Sequence, residues 1–195
     1  MLDREHGKAN MNRSKIPDLS ALKATVEAVE RNPRTAQVTF SVVGEWAGEF
    51  RLDSTTGAFR QGEEIDESRV GRFSMSSDEP TSLLGTDTAV SPGEYIAQAL
   101  AGCYAVTLAA NAAVRGIEVR SLALEVEVDF DLRRFLGMES DTPVGASEVR
   151  VLVTLDAPGH DPSELHELIA AVEQRSPVRD TLARPVPVVT ALKIA

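Results

Sequence analysis

The longest run of apolar and small residues in the chain spans residues 91–116 and predicts a buried helix. Apolar or small residues recur there at spacings of three and four: Ile96, Leu100, Cys103, Thr107, Ala110 and Val114. Ser91 suits the N-cap, Glu94 three positions later completes a capping box, and Gly116 supplies the stop. A helix that is apolar or small on nearly every side is a core helix, so Cys103 is expected at the centre of the fold.

Short alternating segments before this helix predict an antiparallel meander. They are residues 37–43, 46–52 and 57–59, with Gly44 between the first two, and residues 69–75 predict one more short strand. Residues 76–90 are expected to form a loop too polar for the core. Within that loop, Asp78 and Glu79 are expected to be solvated rather than paired acids.

After Gly116 the pattern alternates again and predicts two long strands, residues 119–130 and 147–155, that pair antiparallel. A capping box at Asp161 opens a helix that ends near Arg175, and Ser176 with Pro177 predicts a further short helical turn. Residues 186–194, with prolines at 185 and 187, predict a final strand at a sheet edge. At the other end of the chain, Asp18 predicts the N-cap of a surface helix.

The domain organisation follows from the same pattern. Residues 1–17 are polar and patternless and are expected to be a mobile tail, whereas residues 18–195 are expected to form a single domain. The tail lacks the apolar segment of a secretory signal, so a cytoplasmic location is expected. A membrane-spanning helix needs about 20 apolar residues. The only run that approaches this length is the predicted core helix.

Composition excludes several classes of function. A net charge of −10 argues against binding to nucleic acid or to anionic membranes. The single cysteine cannot form an internal disulfide, a Cys-x-x-Cys redox pair or a cysteine-built zinc site. His6, His160 and His166 share no helix face, so no metal is expected, and neither a G-x-G-x-x-G motif nor a P-loop suggests a cofactor.

Several motifs resemble those of the OsmC/Ohr family of thiol-dependent hydroperoxide reductases over about residues 20–195. They are residues 91–95 leading into 99–103, then 115–117, 131–133, 136–137 and 176–178. The resemblance implies an α+β, OsmC-like fold with antiparallel sheets around a buried central helix. It also implies an intertwined homodimer in which each active site is built at the subunit interface.

The resemblance also implies roles for individual residues, with departures from the family pattern. Cys103 matches the cysteine that attacks the peroxide, but the second, resolving cysteine is replaced by Ser176. The family's glutamate ten residues before the reactive cysteine is Gly93 here, and Glu94 lies one position later. The family's arginine has only a possible substitute in Arg51, so the chain is interpreted as a divergent branch.

A cysteine attacks as a thiolate, which needs a nearby cation, hydrogen-bond donors or a helix N-terminus. Cys103 is about 17 Å from the first turn of its helix, so a neighbouring side chain must supply this stabilisation. Arg179 and Arg51 are the preferred candidates among four arginines that include Arg69 and Arg72.

The residues by themselves leave alternative roles open. Cys103 is either reactive or a small buried hydrophobic residue. Ser176 is either a donor to the thiolate or simply an N-cap, and Glu94 is either catalytic or a member of a capping box.

The sequence therefore supports two alternative functions. The first is reduction of organic hydroperoxides, as part of an oxidative-stress response, by a one-cysteine cycle with Cys103 as the attacking residue and an external thiol as reductant. The second is a non-catalytic homodimer that binds a hydrophobic small molecule at its interface pocket.

Overall fold

The computed structural model describes residues 17–194, so the predicted tail, including His6, lies outside the described residues except for Pro17. The α-helices are α1 (Leu19–Arg31), α2 (Pro92–Arg115), α3 (Pro162–Arg175) and α4 (Pro177–Ala183). The strands are β1 (Val38–Thr39), β2 (Val42–Gly48), β3 (Arg51–Thr56), β4 (Phe59–Gln61), β5 (Glu64–Asp66), β6 (Ser74–Ser77), β7 (Ser121–Asp129) and β8 (Glu148–Asp156). Antiparallel sheets and a central helix confirm the predicted α+β class.

Helix α2 has the ends that the sequence predicts. The Ser91 hydroxyl accepts from the backbone N–H of Glu94, and the Glu94 carboxylate accepts from the backbone N–H of Ser91. Gly116 ends the helix in the left-handed conformation at φ 70°, where a side chain would cost free energy. These local hydrogen bonds satisfy groups that every helix end leaves unpaired.

The C-terminal half packs its hairpin and helices on α2. Strands β7 and β8 pair antiparallel over nine residues each, from Ser121 opposite Asp156 to Asp129 opposite Glu148. Their alternating inward residues meet α2 and α3 in one core, whose buried members are Leu100, Tyr104, Leu108, Ala112, Ile117, Ala157, Leu168 and Val172. This core holds the middle of α2 in a fixed position.

Helix α2 is also long and apolar enough, by length and composition, to cross a membrane. Its contacts are those of a core helix, because β7, α3 and α4 all pack on it. It also buries the polar side chains of Thr107 and Asn111 on the packed side.

The N-terminal strands differ from the prediction. Residues 37–43 do not form one strand, because the chain crosses at Ser41 from the sheet β1–β4–β5 to the sheet β2–β3–β6. Gly57 fixes this crossing: its N–H donates to the Ser41 carbonyl at 2.9 Å, and a Cβ at Gly57 would lie 2.4 Å from the Ser41 hydroxyl oxygen.

The predicted break at Gly44 is also wrong. Gly44 pairs with Ser54 inside the β2–β3 hairpin, and the Leu52 side chain lies over it. The turn comes at Gly48 and Glu49, which have φ angles of 111° and 48°. In the sequence, Gly48 was the signal for this turn, but Gly44 was a competing signal in the same segment.

The segment before α2 carries two further corrections. Of the strand predicted over residues 69–75, only Ser74 and Met75 lie in a strand, β6, because Arg69 ends a 3₁₀ turn, Glu67–Arg69, and residues 70–73 form turns and a bend. Asp78 is not solvated, because only 1% of it is exposed and its carboxylate accepts from the backbone N–H and hydroxyl groups of Thr86 and Thr88. Those donors lie eight and ten residues further along the chain, so the residues next to Asp78 in the sequence do not indicate its burial.

The predicted final strand is absent from residues 184–194, where the described chain has no regular secondary structure. Pro185 and Pro187 lack an N–H to donate to a neighbouring strand. The side chains of Val188 and Val189 are each 91% exposed, so this apolar segment is uncovered within its own chain.

Candidate active site

The sulfur of Cys103, in the middle of α2, meets the hydroxyl of Ser176 at the junction of α3 and α4. The distance from Ser176 Oγ to Cys103 Sγ is 3.2 Å. Ser176 is 1% exposed, whereas Cys103 is half-buried. The structure therefore brings together the two positions that the family resemblance assigns to the two thiols.

The other hydrogen bonds of Ser176 direct its proton to the sulfur. Its N–H donates to the Val172 carbonyl at 2.9 Å, and its own carbonyl accepts from the N–H of Asp180 at 3.0 Å. Its hydroxyl oxygen accepts from the N–H of Arg179 at 3.3 Å, as the N-cap of α4. The hydroxyl hydrogen is then available for Cys103, so the capping role and the donor role are compatible.

Helix α2 places a second hydroxyl near the sulfur one turn further on. Thr107 Oγ1 lies 4.0 Å from Cys103 Sγ, at the outer limit of a contact to sulfur. One turn beyond it, Asn111 accepts from the guanidinium of Arg175 at 2.7 Å. Cys103, Thr107 and Asn111 recur at a spacing of four and so lie on neighbouring parts of one helix face.

Arg179 is the predicted arginine that the structure places next to this site. It lies in the first turn of α4, and its side chain lines the same cavity as Tyr104, the residue after Cys103. Burial raises the pKa of Tyr104, and the charge of Arg179 partly offsets that rise. No acidic side chain among the described residues has an oxygen within 4.0 Å of the Arg179 guanidinium nitrogens.

Arg51 lies in a different hydrogen-bond network. Its guanidinium donates to Thr88 Oγ1 at 2.8 Å, to Asp53 Oδ1 at 2.7 Å and to Ser76 Oγ at 3.2 Å. Thr88 in turn donates to the buried carboxylate of Asp78. Within its own chain Arg51 thus ties the sheet β2–β3–β6 to the loop before α2, and the structure does not bring it to Cys103.

The remaining two arginine candidates lie outside the site as well. Arg69 and Arg72 both stack on Phe73, each with its guanidinium carbon 5.3 Å from the ring centroid.

Glu94 is fully used by the helix end. It lies nine residues before Cys103, which places it about 180° around the helix and about 13 Å along the axis. Its carboxylate accepts from the N–H of Ser91 at 2.8 Å. Within one chain, therefore, the structure joins Glu94 to the capping box and not to the sulfur.

An open cavity lies beside the site, between α2, β8 and α4. It has a volume of about 510 Å³ and is lined mainly by apolar side chains, with the Arg179 and Tyr104 pair at one wall. Its apolar lining includes Ile96, Leu100, Phe130, Val149, Val151 and Leu182. Neither Cys103 nor Tyr95 lines it, and the Tyr95 hydroxyl instead donates to the Ser76 carbonyl.

One side of α2 near Cys103 is open in the single chain. Val106 is 72% exposed, and Ala99 is exposed as well. A Cβ added to Gly102 would meet no atom within 4 Å. The sulfur therefore lies at the boundary between the packed side and the open side of the helix.

Sequence reasoning missed Asn111 and Arg175. A polar amide within residues 108–114, where every other residue is alanine, leucine or valine, was the available signal, because such a group is buried only with partners. Within residues 17–194, no group of three or more His, Cys, Asp and Glu side chains has the arrangement to hold a metal ion.

Comparison with known proteins identifies the family. The sequence model described as OsmC-like protein matches residues 85–191, more than half of the chain, including the positions of Glu94, Cys103, Ser176 and Arg179. No curated protein matches the sequence significantly.

Solved structures with a similar fold come from several bacteria. An OsmC-like protein from Mycoplasma pneumoniae is 17% identical with a TM-score of 0.56, covering 74% of this chain and 87% of that one. A putative osmotic stress induced and detoxification response protein from Psychrobacter arcticus is 18% identical with a TM-score of 0.55, covering 74% and 89%. An organic hydroperoxide resistance protein OsmC from Legionella pneumophila is 17% identical with a TM-score of 0.53, covering 74% and 88%. At these identities the likeness shows the fold.

Proposed function

The chain belongs to the OsmC-like protein family, and from this premise we propose that it is a thiol-dependent reductase of organic hydroperoxides with a single reactive cysteine. The family is one of soluble proteins associated with hydroperoxide resistance and osmotic stress. Cys103 is the attacking residue, Ser176 the donor to its thiolate and Arg179 the nearby cation. An external monothiol or dithiol is the reductant.

One observation carries this proposal: the hydroxyl of buried Ser176 points its proton at the sulfur of Cys103. A donated hydrogen bond favours the charged form of an acceptor, and the thiolate is the form that attacks a peroxide. A cysteine retained merely as a small hydrophobic residue needs no such donor.

The proposed chemistry balances with one thiol in the protein. The thiolate of Cys103 attacks the distal oxygen of the hydroperoxide, the S–O bond forms, the O–O bond breaks, and the alkoxide takes a proton and leaves as an alcohol. An external thiol then attacks the sulfenic acid, releasing water and forming a mixed disulfide. A second thiol displaces Cys103 as thiolate and leaves with the first as an external disulfide.

We also propose that the active unit is an intertwined homodimer. The whole chain exposes 15279 Å², about 6,000 Å² more than a compact monomer of its mass. Even with the accessible surface of an unfolded chain, the residues outside the described range would account for less than half of that excess. Counted for two chains, the remaining excess is about 6,000 Å² or more, which matches the largest interfaces of obligate dimers, about 5,000 Å² and above.

Two surfaces support the same proposal. The sheet β2–β3–β6 has its main contacts within itself, and its large side chains Val42, Val43, Trp46 and Leu52 are exposed. On α2, the glycine at position 102 is a weak choice for helix stability, but it permits close approach of a second backbone. A second copy packed on both surfaces would cover them and enclose the open side of Cys103.

A reducing compartment fits this cycle. The reductant is a free thiol, and the chain has one cysteine and no disulfide to protect. We therefore place the protein in the cytoplasm, acting on an organic hydroperoxide, with neither nucleic acid nor membrane among its partners.

The experiment that tests the proposal measures loss of cumene hydroperoxide in the presence of dithiothreitol or glutathione. The wild-type protein is expected to consume peroxide faster than the thiol does alone. Cys103→Ser is expected to lose the whole of that excess rate, and dimedone is expected to label the sulfenic acid of the wild type alone. A wild-type rate equal to that of Cys103→Ser would exclude the reductase.

The second candidate is a non-catalytic OsmC-like dimer that binds a hydrophobic small molecule. The cavity between α2, β8 and α4 favours it, because its lining is mainly apolar and does not include Cys103. Leu182→Trp would fill part of this cavity, whereas Leu83→Trp adds the same ring at an exposed position elsewhere. Binding of anilinonaphthalene sulfonate that Leu182→Trp alone abolishes, together with no peroxide turnover, would favour this candidate.

A further inference from the structure

Asn111 is a buried amide in an otherwise apolar stretch of α2. It is 7% exposed and lies two turns after Cys103. Its Oδ1 accepts from Arg175 Nη1 at 2.7 Å, and its Nδ2 donates to the Thr107 carbonyl at 2.8 Å. Burying an amide is costly unless both ends are paired, so the Asn111–Arg175 contact is what allows this residue in the core.

Arg175 connects this amide to the active site along the chain. It is the last residue of α3, and the next residue is Ser176. Helix α2 therefore holds the junction of α3 and α4 at two points: Asn111 binds Arg175, and Cys103 binds Ser176. A hydrogen bond from a charged guanidinium is the stronger of the two.

We infer that Asn111 and Arg175 are positioning residues that hold the Ser176 hydroxyl against the sulfur of Cys103. This inference rests on the proposed reactive role of Cys103. The other hydrogen bonds of Ser176 run within α3 and α4, so they orient the hydroxyl without fixing its distance from α2. A hydrogen bond weakens steeply with distance and angle, so a small movement of the junction is enough to lose it.

The test follows the thiolate of Cys103 by its ultraviolet absorbance as the pH is raised. Cys103 is the only cysteine in the chain, so Cys103→Ser provides the blank. Ser176→Ala is expected to raise the midpoint of the titration by about 0.7 in pH, a fivefold smaller thiolate fraction, the value of one net hydrogen bond. Asn111→Ala is expected to raise it by a similar amount.

The double variant separates positioning from general damage. If Asn111 acts through Ser176, adding Asn111→Ala to Ser176→Ala changes the midpoint no further. Additive effects of the two substitutions, or an Asn111→Ala midpoint equal to that of the wild type, would overturn the inference.

Arg175→Ala gives a second route to the same answer if Asn111→Ala does not fold. The Arg175 side chain is exposed, so its removal leaves no cavity. Arg175→Ala is expected to raise the midpoint as Asn111→Ala does. An unchanged midpoint would again overturn the inference. The readout needs no peroxide, so a protein that positions its thiol but fails to reduce peroxide would contradict only the proposed function.

Discussion

The hydroxyl of Ser176 donates to the sulfur of Cys103 across 3.2 Å. The same hydroxyl caps α4 by accepting from the N–H of Arg179. Ser176 therefore both caps α4 and donates a hydrogen bond to the thiol. The family resemblance places the second cysteine at this position.

Ser176→Cys is predicted to convert the one-cysteine cycle into a two-cysteine cycle. The two side-chain atoms already lie in contact, and a small adjustment brings two sulfurs to bonding distance. On treatment with one equivalent of cumene hydroperoxide, the variant is expected to lose both free thiols in a thiol assay. Thr181→Cys, on the exposed part of α4, is the matched control and is expected not to form this disulfide within the chain.

Glu94→Gln is predicted to leave both stability and activity almost unchanged. The glutamine oxygen still accepts from the Ser91 N–H, so stability should stay within about 0.5 kcal/mol of the wild type by urea unfolding. Ser91→Ala, which removes the reciprocal bond, should lower stability by about 1 kcal/mol. A loss of peroxide turnover of about 100-fold or more in Glu94→Gln would instead assign Glu94 a catalytic role.

Val106→Glu is predicted to dissociate the proposed homodimer. The residue lies on the open side of α2 and is 72% exposed in the single chain, so it tolerates a charge there but not in a subunit interface. Each unpaired carboxylate in such an interface costs about 2 kcal/mol or more, and a homodimer carries two, so the dissociation constant rises about 900-fold. Sedimentation measures this, and Met138→Glu is the control for a charge added elsewhere. A wild-type protein that sediments as a monomer would contradict the dimer.

Asp78→Asn is predicted to destabilise the loop before α2 and to change the pH dependence of stability. Hydrogen bonds from the Thr86 hydroxyl, followed by those from the Thr88 and Glu79 backbone, hold the pKa of Asp78 well below its usual range. The unfolded chain takes up this proton near pH 4, so the stabilisation is fully present above that pH and is lost as the pH falls toward the lower native value.

Urea unfolding at constant protein concentration tests this prediction. At pH 7 Asp78→Asn should be less stable than the wild type, and between pH 4 and more acid conditions its stability should fall less steeply. The exposed Asp141→Asn is the control. Equal pH slopes in the wild type and Asp78→Asn would show that Asp78 does not contribute to acid unfolding.

Most predictions that depended on neighbouring residues were confirmed. The capping boxes at Ser91 and Asp161, the stop at Gly116 and the β7–β8 hairpin follow from hydrogen bonds or side-chain alternation within a few residues. The break predicted at Gly44 was a local prediction that failed, and the other failures depended on distant partners. Residues 37–43 divide at Ser41 because Gly57 packs there, and residues 186–194 form no strand because their own chain brings no sheet edge to them.

The candidate site divides in the same way. The family resemblance indicated Cys103 as the attacking group and Ser176 as its counterpart, but four arginines remained as possible partners. The structure places Arg179 beside Tyr104 and commits Arg51 to Thr88 and the loop.

By itself the sequence determined the helices, the long hairpin, the family and the position of the thiol, because periodicity, capping and motifs act over short distances along the chain. Only the tertiary structure decided which groups meet that thiol. The Ser176 hydroxyl is 73 residues from Cys103 in sequence, and the Asn111–Arg175 contact spans 64. Such contacts form when separate helices pack into one core, and their geometry depends on the shape of all the side chains between them.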